Sequence, residues 1–99
     1  MENQNVIKYF ESWSGYNIPF TPIREITLER ALSLKAYYIA TYRNEVLVSF
    51  EKILDSQREW LDVYEYWENS QKLKKRIMTH ASGEVIVQNF DRSGNMLAR

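Results

Sequence analysis

Residues 60–68 read WLDVYEYWE, and the fold turns on whether this stretch is a helix or a strand. Aromatic and branched residues dominate it, and Asn69 to Gln71 follow as turn formers, so the stretch reads as a strand. Apolar residues fall at both odd and even positions: Trp60, Tyr64 and Tyr66 on one side, Leu61, Val63 and Trp67 on the other. A strand alternates its side chains, so this one has two partly apolar faces and belongs in the middle of a sheet.

Working outward, turn residues recur at short intervals as RNE, DSQ, NSQ, SG and RSGN. Between them lie strands predicted at 37–43, 46–54, 58–68, 72–80, 84–91 and a short 95–98. Connections this brief force antiparallel neighbours. The first third reads differently. Val6, Phe10 and Trp13 are spaced i, i+4, i+7, which predicts a short helix over 4–13 capped by Asn3 or Asn5 and stopped at Gly15. Pro19 and Pro22 then impose extended backbone. A second helix is predicted over 27–36, with Thr27 as N-cap and Glu29 in its first turn. The expected fold class is therefore α+β: an antiparallel meander of five to six strands over about 37–98, with one or two short N-terminal helices packed on it. One domain, 1–99, divides into a helical and extended cover (1–36) and the meander (37–99).

Tyr42, Tyr66 and Phe90 recur every 24 residues, each just before a turn, and YWENSQKLKK overlays FDRSGNMLAR with Leu73 on Leu97. A hairpin of aromatic, polar turn and leucine cannot bury its face alone. Over residues 42–99 this pattern resembles the hairpin repeats of MORN-like antitoxin components, and more distantly the YD repeats of Rhs proteins. The turn glycine of such repeats stands at Gly94, with Ser70 and Glu45 in the other copies. The resemblance implies an antitoxin- or immunity-like role.

Composition narrows the chemistry. Of 99 residues, 44% are apolar and 26% charged, and the formal net charge is zero, so no overall field draws the chain to nucleic acid or an anionic membrane. The absence of cysteine excludes disulfides and thiolate metal sites and fits a cytoplasmic location. The start, MENQNVIKYF, has no basic region followed by an apolar run, so no signal peptide is expected. No apolar run approaches the ~20 residues a membrane-spanning helix needs.

If hairpins pair without irregularity, Tyr38, Tyr42, Trp60, Tyr64 and Tyr66 share one face with Leu47, Ile53, Leu73, Ile77, Ile86, Phe90 and Leu97. The other face carries Ile39, Val46, Val48, Phe50, Leu61, Val63, Trp67, Met78, Val85 and Val87. The five aromatics are the candidate binding residues, unless residues 5–24 cover them. The same register sets Glu51 opposite Asp62, a possible carboxylate pair for acid–base work or simply two solvated acids. It also sets Glu65 opposite Arg76. A basic strip at 72–76 beside Tyr64 and Tyr66 offers a surface for single-stranded nucleic acid, though neighbouring acids weaken its field. His80 is the one histidine, with no serine elbow or phosphate-binding glycine loop to join it, so no catalytic residue, metal site or cofactor is expected. The leading expectation is a noncatalytic interaction protein with a protein partner or a second copy of itself. A small enzyme or ligand carrier with a pocket between the N-terminal arm and the sheet is the alternative.

Overall fold

The computed structural model describes residues 5–97. Seven strands form one antiparallel sheet: β1 (Asn5–Ser14), β2 (Thr21–Ile26), β3 (Ala36–Arg43), β4 (Val46–Leu54), β5 (Gln57–Tyr66), β6 (Leu73–His80) and β7 (Val85–Asn89). Among the described residues a single helix of five residues, α1 (Leu28–Leu32), joins β2 to β3. The strand order is β2-β1-β3-β4-β5-β6-β7. From β3 onward each strand pairs with the next, as the meander reading expects.

The fold is largely β, with seven strands and one short helix among the described residues, so the expectation of an α+β fold with five to six strands is corrected. Residues 5–14 are a strand, not a helix. Their i, i+4, i+7 spacing suits a helix, but Val6, Ile7, Tyr9, Phe10 and Trp13 are β-branched or aromatic, and the exposed edges of both β2 and β3 need a partner ladder. The Asn3 cap proposed for that helix lies outside the described residues. Thr27 does cap α1, accepting the Arg30 N–H at 3.1 Å. The helix stops at Leu32 because the aromatic and branched run from Tyr37 to Ile39 continues the sheet. Ala31 alone is buried, and Arg30 reaches Glu11, which alternation sets on the face opposite Phe10. At the far end, the predicted strand 95–98 is a single bridge, Phe90 to Met96, and Ala98 lies outside the described residues.

Two hairpin turns, Asn44–Glu45 and Asp55–Ser56, place both central residues at positive φ, the conformation whose twist matches the strands. A register shift follows soon after each of these turns and again after the Asn69 turn. Val48, Glu59 and Lys74 are the extra residues, and each one moves the rest of its strand to the other face. Phe50 and Met78 therefore point into the core rather than away from it. Ile77 moves outward, opposite Val63 and Val87.

The inner face carries the core: Phe10, Ala40, Leu47, Phe50, Tyr64, Leu73 and Phe90, with Trp13, Tyr38, Tyr42, Trp60 and Tyr66 packed against them. Residues 15–20, between β1 and β2, fold across this face. Phe20 meets Phe50 and Trp60 edge-on at 6.5 and 5.7 Å, and its N–H donates to the Tyr64 hydroxyl at 3.1 Å. The Trp13 indole lies over Gly15, where a Cβ would stand 2.6 Å from the ring.

The shifts also redirect the charges. Glu65 faces Lys75, and Arg76 faces Tyr64, so the expected Glu65–Arg76 pair is replaced by an inner pair, Asp62 with Arg76. Asp62 is 0% exposed and Arg76 7%. Replacing Arg76 by Met leaves a buried carboxylate without its cation, an expected loss of about 3–5 kcal/mol. Adding Asp62→Leu to that variant should restore much of it, whereas a cycle at Glu65 and Lys75 should couple by about 1 kcal/mol or less. Urea denaturation of the six variants checks both, and additive losses at Asp62 and Arg76 would refute the pairing.

Candidate binding site

The five aromatics expected to form a contact face do come together, but as packing. Tyr64 is 2% exposed, and Tyr38, Tyr42, Trp60 and Tyr66 are half-buried against the core cluster, Tyr38 and Trp60 in contact with Trp13. Tyr38 stacks on Phe50 at 5.7 Å and 16°, and Trp60 meets Trp13 edge-on at 5.7 Å. Burial raises the Tyr42 phenol above its ordinary value, with Glu25 adding to the effect. Burial pushes the Tyr66 phenol up to about 12, and its hydroxyl donates to the Leu47 carbonyl at 2.6 Å. The Tyr64 phenol is raised further, by burial first.

Glu51 and Asp62 do not meet. The shift between Lys52 and Ile53 sets Glu51 opposite Leu61 and Asp62 opposite Phe50, on opposite faces of the sheet. Glu51 is bound to Arg58 at 3.0 Å. Asp62 is sealed: the Arg76 Nε donates to both its oxygens at 2.8 and 2.9 Å, and the Tyr64 hydroxyl donates to one at 2.8 Å. The Arg76 guanidinium lies 4.9 Å from the centre of the Phe20 ring and donates through Nη1 to Gln88 at 3.0 Å. Both Asp62 oxygens therefore accept hydrogen bonds at a site closed to solvent. Among the described residues no three His, Asp or Glu side chains converge on a metal-sized site. His80 ends β6 opposite Trp60. The 72–76 strip is broken as well, because Arg76 turns into the core.

What the strand pattern did not reveal is the β7 edge. The His80 N–H donates to the Glu84 carbonyl and the Phe90 N–H to the Lys74 carbonyl, at 2.8 and 2.9 Å. In an antiparallel ladder the bonded residues alternate, so Ile86 and Gln88 bond to β6 while Val85, Val87 and Asn89 direct their N–H and C=O groups away from the sheet. Among the described residues only Asn89 has a partner on that side, the Leu97 N–H at 2.8 Å. Val85 and Val87 are 55% and 41% exposed. Beside them runs an open groove of about 670 Å³ whose walls include Trp67, Ile86, Phe90, Met96 and Leu97, with Lys74 at its rim. The Trp67 indole N–H donates to the Asp91 carbonyl, and the Lys74 and Arg92 cations lie 5.2 and 4.4 Å from its ring centre. The one sequence signal for this site is VIVQN itself, a final strand without charge or proline.

Tyr66 offers a check on the packed face. Its raised phenol means the folded state keeps a proton that the unfolded chain loses above about pH 10, so stability should fall as pH rises from about 10 to about 12. Tyr66→Phe should cost about 1 kcal/mol at neutral pH for the lost hydrogen bond and show a shallower alkaline decline, followed by thermal melts across that range. An unchanged slope would mean the ring is open to solvent.

No curated protein and no solved structure matches the chain. A family model does match, from residue 2 to residue 99, and by that match the chain belongs to the family of unknown function DUF6156.

Proposed function

We propose that this protein is a noncatalytic interaction module that captures an extended segment of a partner protein along β7. One observation carries the reading: the two edges of the sheet are built differently. β2 is guarded by Pro22, by the charges of Arg24 and Glu25, and by Arg24 at a φ of 65°. Each of these blocks or distorts a new ladder. β7 has none of them. It presents the outward groups of Val85 and Val87 next to an apolar groove, the arrangement in which main-chain bonds supply affinity and side-chain pockets supply selectivity. The sealing of Asp62 and the separation of Glu51 from it support a binding role over acid–base catalysis. The resemblance of residues 42–99 to MORN-like antitoxin hairpins supports placing the module among antitoxin- or immunity-like binders.

Val87→Pro tests the reading, because it deletes an N–H that points away from β6 and leaves the internal ladder intact. Wild-type protein panned against displayed random nine-residue peptides should enrich a family of sequences. Val87→Pro, with its melting temperature measured alongside, should lose them by on the order of tenfold or more in affinity. Should the proline unfold the strand, Val85→Lys gives the same contrast. Enrichment that survives both changes in folded protein, or no enrichment by the wild type, would refute edge capture.

A further inference from the structure

We infer that the captured segment is acidic: an extended peptide with a carboxylate side chain two residues from an apolar one. This rests on the edge-capture reading and specifies the chemistry of its ligand. Lys74 is the single charged residue lining the groove, and Trp67 holds Arg92 beside it. Among the described residues no ion pair involves Lys72, Lys74, Lys75 or Arg92; the paired cations are Lys8, Arg24, Arg30, Arg58 and Arg76. Of the neighbouring acids, Asp91 is already engaged. Asp91 accepts the backbone N–H groups of Ser93 and Asn95 at 2.9 and 3.0 Å, and these bonds, Asn95's above all, hold its carboxyl below the usual range. Glu65 stands opposite Lys75 in the ladder. A strand laid along Val85 and Val87 directs alternate side chains to one face, roughly 6.5 Å apart. That spacing suits one apolar side chain against Ile86 and Met96 and one carboxylate at Lys74 and Arg92.

A second copy of the chain fits less well. Antiparallel β7–β7 pairing would run each rigid sheet into the segment near Leu97 that already occupies the partner's edge at Asn89. A free peptide can turn away at that point.

The test uses the full chain and the same random nine-residue library. Wild type should select sequences rich in Asp or Glu at a two-residue spacing from Leu, Ile, Val or Phe, with binding that weakens as salt rises. The Lys74→Glu/Arg92→Glu variant should lose those peptides by about tenfold or more and select Lys- or Arg-bearing ones instead. Lys74→Gln/Arg92→Gln, which removes charge without reversing it, should show an intermediate loss if the reversed pair folds poorly. Wild-type selection of neutral or basic peptides that Val87→Pro still abolishes would overturn the acidic preference and leave edge capture standing. Failure to select anything would overturn both. Concentration-dependent dimerisation abolished by Val87→Pro would assign the edge to a second copy, and peptide capture seen only after deleting residues 98–99 would assign it to the chain's own terminus. Either result would overturn the proposal.

Discussion

Asp62 and Arg76 sit opposite other residues in the ladder yet meet beneath Phe20, and much of the structure follows from keeping them there. A carboxylate with no solvent exposure is tolerable only if its charge and its lone pairs are matched. Arg76 supplies the charge and two bonds, and Tyr64 supplies a third. Tyr64 in turn accepts the Phe20 N–H, so the segment between β1 and β2 is tied to the centre of the sheet through one hydroxyl. A shift of β6 against β5 by one residue would carry Arg76 to the outer face and strand Asp62. The pair therefore selects the register more than it adds stability.

The three bulges make that register possible. Lys74 is the extra residue that turns Arg76 inward, Glu59 separates Glu51 from Asp62, and Val48 brings Phe50 to the core. Each lies within a few residues of a tight hairpin, where an unpaired residue disrupts the fewest ladder bonds and increases the local twist. The inner face then gathers rings from β1, β3, β4 and β5 under Phe20, with no buried side-chain polar atom left unpartnered among the described residues.

With the tyrosine face used for packing, the proposed contact surface lies at the end of the meander. β1 is covered on both sides by neighbours and β2 is protected by proline and charge, but β7 is the last long ladder and, among the described residues, its outer groups at Val85 and Val87 have no partner. The 24-residue recurrence bears on this directly. In the first full copy Tyr66 pairs with Leu73, whereas in the second Phe90 bridges Met96, so Leu97 is left outside the core. That shortened hairpin forms one wall of the groove.

The sequence by itself determined strands β3 to β7, because their turns are local: Asn44, Asp55 and Asn69 each adopt positive φ within a segment whose chemistry favours it. It also determined the Thr27 cap, a bond between neighbours. The tertiary structure decided the rest. Residues 5–14 carry a helical spacing in β-favouring residues, and the vacant edges of β2 and β3 make them a strand. Bulge positions depend on which side chains can be buried across strands, so the facing of Glu51, Phe50, Arg76 and Met78 was not legible from alternation alone. The role of the tyrosines waited on the path of residues 15–20. The open edge of β7 waited on the strand order, since an unpaired backbone group leaves no mark in the sequence that carries it.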